Sequence, residues 1–386
     1  MVLILKVLVV GAGPGGSTTA SFLAREGIDV TIVERKVEPE KPVICGEFFP
    51  SKDLASRFLP DGYYLEKMYF HFRKSHIMAE HKGMEIAFDN VSKKAKLDGI
   101  YIIDRYSFIR DIIRDATNHG AELLTKTIFI DAKYHGDRIK AKISKNGKIS
   151  YLETDYIIGA DAYPSRVAMS FGLPYLLPKN DVAQTITVKM TNVNYEEELV
   201  YLLFSPKIAP RTYAWIFPSK NFYNVGVGVI EEERRYPVKT YLERFLSIKR
   251  FFKDAKIVSK PLGKPLPVGG MHPNPARDKV LLVGDAAWLV VPTNGGGINN
   301  AMLSGMLAAD AIINDPKNAH KQYIKDMNKY IAPLLNRTIK YRRGVERLYK
   351  RWALFKLLAR ITPAKWIQEV ILGEENIVGK ILSILA

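Results

Sequence analysis

Residues 3–35, LILKVLVVGAGPGGSTTASFLAREGIDVTIVER, decide the fold of this chain. The run at 3–10 is almost continuously apolar, which is typical of a strand buried on both faces of a parallel sheet. A glycine-rich loop at 11–16 follows, and the pattern then predicts a helix over 17–25 and a second strand over 29–33. The order strand, loop, helix and strand is typical of a domain that binds a dinucleotide.

The loop glycines and the acid after the second strand each predict a contact with that dinucleotide. Gly11 allows the tight turn out of the strand, Gly13 lets the backbone approach a pyrophosphate, and Gly16 lets the helix pack closely on the sheet. The N–H groups of the helix N-terminus then face the phosphates. Glu34 lies about 20 residues past the glycines, where a carboxylate accepts ribose hydroxyls and disfavours a 2′-phosphate. FAD or NAD is therefore predicted rather than NADP, and the alternative is an ordinary glycine-rich turn.

The length and composition are those of a globular protein. The 386 residues suffice for two cores, and the 47% apolar and 25% charged fractions are ordinary. Cys45 is the one cysteine, so no internal disulfide is possible, and the protein is expected either in a reducing compartment or to be indifferent to redox conditions. No apolar run reaches the roughly 18–20 residues of a membrane span, and the start of the chain does not resemble a removable signal. A cytoplasmic protein is predicted.

The net charge of +17 is concentrated toward the end of the chain. Residues 315–386 hold 15 Lys or Arg and six Asp or Glu, a balance of +9. A basic surface attracts nucleic acid, anionic lipid or an acidic protein. No nucleic-acid motif accompanies it, so nucleic acid is not expected as a partner. Two interpretations remain, a solvated lysine-rich surface and attraction to an anionic membrane.

A second unit of strand, loop and helix occurs late in the chain. Lys279–Val283 is predicted as a buried strand, the loop contains Gly284-Asp285 and the cluster Gly295-Gly296-Gly297, and a helix is predicted over Ile298–Asn314. Three bare amides at a helix start can hold the anionic edge of a flavin ring. Asp285 can accept ribityl hydroxyls, so this unit predicts a flavin site.

Two further positions are candidates for flavin contacts. Cys45-Gly46-Glu47 follows the second strand, where the chain can lie beside a flavin ring; the alternative is a buried structural cysteine. Arg105 lies between a strand and a helix predicted over 106–119, a position suited to a phosphate or ring contact. For Arg105 the alternative is a surface salt bridge.

The segments between these units predict antiparallel sheet. Strands are expected at Tyr69–Phe72 and elsewhere within 63–100, around Leu123–Ala132, and again between Asp181 and Ile230, before a helix over 238–252. His71, His76 and His81 lack the spacing of metal ligands, so structural histidines are expected and no metal site is predicted.

These predictions define an α/β fold with a discontinuous Rossmann-like FAD-binding domain, an inserted antiparallel-sheet substrate domain and a basic helical C-terminal region. The FAD-binding domain comprises residues 1–62, 101–170 and 256–314. The substrate domain comprises residues 63–100 and 171–255, and the C-terminal region comprises residues 315–386. In the last region a bend is expected near Trp352 to Leu354, and Pro363 interrupts the helix. Its helices either cover the sheet or form a membrane-surface element.

The motifs at 11–34, 159–165 and 284–297, in that order, resemble those of flavoproteins of the para-hydroxybenzoate hydroxylase-like group. Within that group the chain resembles the geranylgeranyl reductase family, whose members saturate prenyl chains. Cys45-Gly46-Glu47 resembles the segment that this family places beside the flavin. Residues 210–218, PRTYAWIFP, match the family's lipid-binding motif P-x-x-Y-x-W-x-F-P at every fixed position.

The resemblance covers roughly residues 5–310 and has two departures. Ala162 stands where relatives usually have glycine in G-A-D-G-x-x-S. Trp288 stands where relatives often have glycine after G-D-A-A, and its indole could narrow the cavity near the flavin.

The resemblance implies FAD as the cofactor and a channel for a prenyl chain lined by the antiparallel sheet. The implied cofactor contacts are Gly11, Gly13, Gly16, Glu34, Arg35, Cys45, Gly46, Arg105, Asp285, Gly295, Gly296, Gly297 and Ile298. The implied substrate contacts are Tyr213, Trp215, Phe217, Trp288 and Pro292. Since side chains alternate on a strand, Tyr213, Trp215 and Phe217 share one face, which alternatively is simply sheet core.

The implied activity is FAD-dependent reduction of C=C bonds in geranylgeranyl chains of archaeal-type ether lipids. A hydride goes to one alkene carbon and a proton to the other, with Cys45 or Glu47 as the candidate acid. Reduced ferredoxin or NAD(P)H is the expected electron donor, and the inner membrane face is the expected location. The alternatives are a prenyl-quinone reductase, a flavin-dependent monooxygenase and a flavin or lipid carrier without turnover.

Overall fold

The computed structural model describes residues 5–59 and 61–386. The strands are β1 (Lys6–Val10), β2 (Asp29–Val33), β3 (Phe48–Pro50), β4 (Ile77–Phe88), β5 (Val91–Ile103), β6 (Glu122–Leu124), β7 (Thr127–His135), β8 (Arg138–Lys145), β9 (Lys148–Thr154), β10 (Tyr156–Gly159), β11 (Val182–Thr191), β12 (Leu199–Phe204), β13 (Ala214–Pro218), β14 (Tyr223–Ile230), β15 (Lys256–Ile257), β16 (Leu262–Pro267), β17 (Ala276–Arg277) and β18 (Val280–Leu282).

The helices are α1 (Pro14–Arg25), α2 (Lys52–Ser56), α3 (Gly62–Tyr69), α4 (Arg105–Asn118), α5 (Arg166–Ser170), α6 (Val238–Leu246), α7 (Lys249–Phe252), α8 (Ile298–Asn314), α9 (Ala319–Tyr330), α10 (Ala332–Tyr349), α11 (Trp352–Ile361), α12 (Ala364–Leu372) and α13 (Ile377–Leu385).

Three sheets are formed by the described strands. The first has the order β17-β18-β10-β1-β2-β6 and is parallel except for β17. The second has nine strands, β15-β11-β14-β13-β12-β4-β5-β3 with β16 also on β11, and the third is β7-β8-β9. In the first sheet Val9 lies between Ile158 and Ile32. The carboxyl ends of β1, β10 and β18 therefore meet at one edge, which brings the three loop motifs together.

The predicted α/β fold class is confirmed, and the two nucleotide-binding units form as expected. Helix α1 begins at Pro14, three residues before the predicted start, because proline is favoured in the first turn of a helix. Strand β2 and helix α8 have the predicted bounds. The predicted start of the first strand, at residues 3 and 4, lies outside the described residues.

Three predictions of secondary structure were wrong in detail. Tyr69–Phe72 is the end of α3 and a turn, since Asp61 caps α3 and the buried Tyr64, Leu65 and Met68 recur at helical spacing. The helix over 238–252 is divided into α6 and α7. The strand over 123–132 is divided at Lys126, whose φ of 53° turns the chain from the first sheet into the third.

The nine-stranded sheet is covered on both faces. On one face, Ala214 and Ile216 of β13 share a core with Tyr241, Phe245 and the rest of α6 and α7. On the other face, Trp215 and Phe217 share a core with apolar residues of α11 and α12. The tail helices thus pack over the aromatic face of β13. The predicted bend is present, since α10 ends at Tyr349 and α11 begins at Trp352.

Candidate functional site

The loop between β1 and α1 leaves a cradle that the protein itself does not fill. A Cβ on Gly11 or Gly16 would overlap backbone, at Ala160 and at Gly11 respectively, so close packing requires both glycines. A Cβ on Gly13 would meet only a Glu40 carboxylate oxygen, at 3.6 Å. Gly13 is also the N-cap of α1 and provides no side-chain cap. Space and helix N–H groups are therefore available for a pyrophosphate.

Glu34 holds this loop in place. Its carboxylate is buried and accepts hydrogen bonds from the amides of Ala12, at 2.9 Å, and Lys36, at 2.8 Å. Each carboxylate oxygen can accept a second bond, so ribose hydroxyls can still be bound. The neighbouring Arg35 has an exposed side chain.

Arg105 lies in a buried ion pair and not in a surface salt bridge. Its guanidinium is 2.6 Å from the carboxylate of Glu40, which is itself buried. Burial lowers the pKa of Arg105, but Glu40, the Cys45 thiol and Asp285 raise it more, so the group stays charged. Its Nε has no hydrogen-bond partner among the described residues. A buried cationic donor without a partner fits an oxygen of a bound cofactor.

Cys45, Gly46 and Glu47 are held by a buried polar network. The amide of Glu47 donates to the Cys45 sulfur at 3.2 Å. The Glu47 side chain is 2% exposed, and one carboxylate oxygen lies 3.3 Å from the ammonium of Lys189. Burial raises the pKa of Glu47, and Lys189, Asn224 and Arg105 partly offset that rise.

Asn224 is the centre of this network. Its amide nitrogen donates to the Cys45 carbonyl at 2.8 Å and to the Glu47 carboxylate at 3.3 Å. Its amide oxygen accepts from the Thr187 hydroxyl at 2.7 Å and the Trp215 indole at 3.0 Å. One side chain on β14 therefore joins the Cys45 segment to β11 and β13.

The aromatic face of β13 lies directly against the Cys45 segment. A Cβ on Gly46 would be 2.9 Å from the ring of Phe217, so glycine is what permits this close approach. The Tyr213 hydroxyl donates to the carbonyl of Asn294, in the loop of the glycine cluster. Burial, followed by Cys45, raises the pKa of Tyr213, so its hydroxyl stays protonated. The candidate substrate face and both candidate flavin segments are thus neighbours.

The loop before α8 uses two of its three predicted free amides internally. The amide of Gly295 donates to Val291 at 2.9 Å, and that of Gly296 donates to the Asn294 side chain at 2.8 Å. Gly297 is the N-cap of α8 and has no side-chain cap, so the amides of Gly297 and Ile298 are the ones available to a ligand.

Two contacts around this loop were not predicted. Asp285 pairs with Lys264 of β16 at 2.9 Å. The side chains of Thr293 and Asn294 donate to the Ile371 carbonyl, at 2.9 and 3.0 Å, which fastens the loop to α12. Partners this distant along the chain carry no local sequence signal.

Trp288 and Pro292 are both buried in the same loop. The ring of Trp288 packs against His272, with a centroid distance of 4.5 Å. Its indole N–H has no acceptor among the described residues. Trp288 has a φ of 60°, in the left-handed region that favours glycine. Ala162 is similar, with a φ of 66°.

The three middle histidines have structural partners. His71 is 3.2 Å from Asp115, His76 is 3.2 Å from Asp111, and His81 is hydrogen-bonded to the Pro218 carbonyl at 3.0 Å. Within 5–59 and 61–386, no group of three or more metal-ligating side chains is found. In the same residues no helix is both long and apolar enough to cross a membrane.

The sequence matches a family model described as FAD binding domain over residues 5–324. It is 32% identical over 317 residues to digeranylgeranylglycerophospholipid reductase from Methanothrix thermoacetophila, covering 79% of this chain and 77% of that protein. The chain belongs to this reductase family. The crystal structure of a geranylgeranyl bacteriochlorophyll reductase-like protein from Thermoplasma acidophilum superposes with a TM-score of 0.83 at 25% identity, covering 99% of this chain and 100% of that one.

A flavin-dependent brominase shares the fold alone, with a TM-score of 0.72 at 17% identity and coverage of 98% and 96%. The predicted family and the predicted FAD cofactor are confirmed by these matches. The reductase family further makes the chain an FAD-dependent oxidoreductase.

Proposed function

We propose that this chain saturates carbon–carbon double bonds in the geranylgeranyl chains of ether phospholipids, as the names of its relatives indicate for them. One observation carries the proposal. The aromatic face of β13 lies against Gly46 on one side and against the glycine loop of α8, through Tyr213, on the other. An apolar surface of this kind favours a polyisoprenoid, since each buried CH₂ contributes about 0.8 kcal/mol.

We assign the cofactor contacts as follows. The cradle at Gly13 and the N-terminus of α1 take the pyrophosphate, and Glu34 takes the ribose. Arg105 would donate to the cofactor through its Nε, which has no partner among the described residues. Gly297 and Ile298 would hold the flavin edge. When bound and reduced, FAD supplies the hydride.

Cys45 is the proposed proton donor. Its thiol gives a proton to the alkene carbon that does not receive the hydride, and the thiolate that remains lies near the charged Arg105. The thiolate then takes a proton from water before the next turnover. Glu47 is the second candidate, but its carboxylate is occupied by Lys189 and Asn224. Buried aromatic residues exclude water from this reaction.

The chain also has features suited to an anionic membrane surface. Leu354, Leu357 and Ile361 lie at helical spacing on α11, and Leu357 and Ile361 are 56% and 71% exposed. They belong to the tail with the net charge of +9. We propose peripheral binding at the inner membrane face through this stripe and its neighbouring cations. We further propose reduced ferredoxin or NAD(P)H as the electron donor, and a division of the chain into the three regions whose boundaries are given above.

An anaerobic reaction tests this function. The purified yellow protein is reduced chemically, a digeranylgeranylglycerol phospholipid is added in detergent, and the lipid is analysed by mass spectrometry. We expect a gain of two hydrogens for each double bond that reacts. An unchanged lipid together with rapid NAD(P)H oxidation and oxygen uptake in air would favour the monooxygenase, and reduction of a prenyl quinone alone would favour the quinone reductase.

A further inference from the structure

A cationic cavity of about 710 Å³ opens between the loop before β13, helix α6 and helix α10. Four cations that line it form no ion pair among the described residues; they are Arg235, Arg244, Arg347 and Lys350. Glu232, Glu233 and Glu346 also line it, but all three carboxylates bind Arg211, at 3.0, 3.3 and 3.0 Å respectively. The cavity therefore presents an excess of free positive charge.

The cavity is shaped for a planar, charge-assisted contact. The guanidinium of Arg244 lies over the rings of Tyr236 and Tyr241, at 4.7 and 5.2 Å from their centroids. Such stacking holds the plane of the group. One N–H group of Arg244 donates to the Lys207 carbonyl at 3.3 Å, and its other N–H donors remain at the edge. Guanidinium groups held in this way bind phosphate oxygens in a bidentate manner.

A continuous row of aromatic rings leads from this cavity toward Cys45. Tyr349 lines the cavity, and its ring centroid lies 6.3 Å from that of Phe355. The ring centroid of Phe355 is in turn 5.4 Å from that of Phe88. Phe88 is in turn 5.4 Å from Phe204, which is 5.7 Å from Tyr213.

From Tyr213 the row continues through Trp215 to Phe217, in two steps of 6.1 Å, and Phe217 adjoins Gly46. The row lies in the apolar layer between the nine-stranded sheet and α11. The charged cavity suits the head group of a phosphate-bearing lipid, and the candidate reaction centre at the other end of the row suits a long prenyl chain of the same lipid.

We propose that the cationic cavity binds the phosphate of a prenyl lipid while its chain follows the aromatic row to Cys45. This inference rests on the proposed function, because it takes the row as the path of the chain. The phosphate can belong to a glycerophosphate ether lipid or to a free prenyl diphosphate, which share the charge that the cavity recognises.

Equilibrium binding of saturated ligands to the FAD-loaded protein tests the proposal without turnover. The probes are diphytanylglyceryl phosphate, phytanyl diphosphate and phytanol in neutral detergent. In the Arg347→Glu/Lys350→Glu variant we expect Kd to rise about tenfold or more for at least one of the two phosphate probes, diphytanylglyceryl phosphate and phytanyl diphosphate. The reason is that hydrogen bonds between charged groups are lost. Kd for phytanol should not change. The phosphate probe that shows the rise identifies the source.

The charge-matched control is Lys321→Glu/Lys325→Glu, which changes two exposed lysines of α9 outside this cavity. It should leave all three Kd values at those of the parent protein. Equal rises for phytanol and the phosphates, or no rise for either phosphate, would overturn the head-group site. Failure of the proposed function is separate, because it appears as an unreduced lipid in the anaerobic assay while these Kd values stay measurable. Arg244→Gln, read in the same way, guards against a folding defect in the double variant.

Discussion

Replacing Asn224 with leucine removes the hydrogen bonds that centre on it while keeping the number and branching of the side-chain heavy atoms. The Trp215 indole and the Cys45 carbonyl lose their bonds of 3.0 and 2.8 Å. Thr187 keeps an alternative acceptor, the Val225 carbonyl at 3.2 Å. Glu47 loses its bond of 3.3 Å to Asn224 but keeps its ion pair with Lys189 at 3.3 Å. One buried and one partly buried polar group, the Trp215 indole and the Cys45 carbonyl, are therefore left unsatisfied. At about 1–3 kcal/mol for each group, the upper bound of the loss is about 6 kcal/mol.

We expect this loss as a lower Tm of the FAD-loaded protein, measured by thermal unfolding. Turnover should also fall, because the Cys45 segment loses its tie to β14. The matched control is Asn221→Leu, the same substitution at an exposed position before β14. Its effect should stay within about 0.5 kcal/mol. An equal Tm for the two variants would refute the role of Asn224 as the centre of the network.

Three further outcomes are expected. Gly13→Ala should reduce FAD content with little loss of apoprotein stability, because the added Cβ meets only Glu40, at 3.6 Å. Gly16→Ala should destabilise the apoprotein itself, because the added Cβ overlaps the backbone of Gly11. Cys45→Ser should cut lipid turnover while FAD absorbance is retained. Burial raises the folded-state pKa of Glu47, so the parent protein loses stability as pH rises through that pKa. Glutamine does not titrate, so Glu47→Gln should gain stability relative to the parent protein as pH rises above the ordinary carboxyl range.

Each of these outcomes has a direct contradiction. If the Gly13 and Gly16 variants had equal FAD content and equal apoprotein Tm, Gly13 would not differ from Gly16 in role, as a contact for the cofactor against a residue needed for packing. Near-normal turnover of Cys45→Ser would remove the thiol as proton donor and leave Glu47. A constant difference in Tm between Glu47→Gln and the parent from pH 4 to 8 would mean that Glu47 has the same pKa in the folded and unfolded chain.

Local patterns were sufficient where chemistry and structure depend on neighbours in sequence. The glycine spacing at 11–16 predicted the turn and the cradle, and alternation predicted that Trp215 and Phe217 share a face. The strand predicted at Tyr69–Phe72 failed, because a short apolar run fits a strand or a helix equally well and the cap at Asp61 decided for the helix.

Long-range partners could not be predicted. Only the folded chain brings together the ion pairs Glu40–Arg105 and Asp285–Lys264 and the network centred on Asn224. Each pairs groups on elements that no local periodicity connects. The sequence likewise offered no reason to expect two of the three amides of the glycine cluster to be used within their own loop.

The central claim is that the aromatic face of β13 and the FAD site form one active site for prenyl reduction. A single anaerobic turnover tests it: the flavin absorbance of the reduced protein is followed after addition of one equivalent of geranylgeranyl ether lipid. We expect one flavin reoxidised per double bond reduced in the parent protein. The Trp366→Ala control should behave in the same way, because Trp366 is exposed. Trp215→Ala should retain FAD but reoxidise it slowly. A flavin that stays reduced in the parent protein, or reoxidation of Trp215→Ala at the parent rate, would contradict the claim.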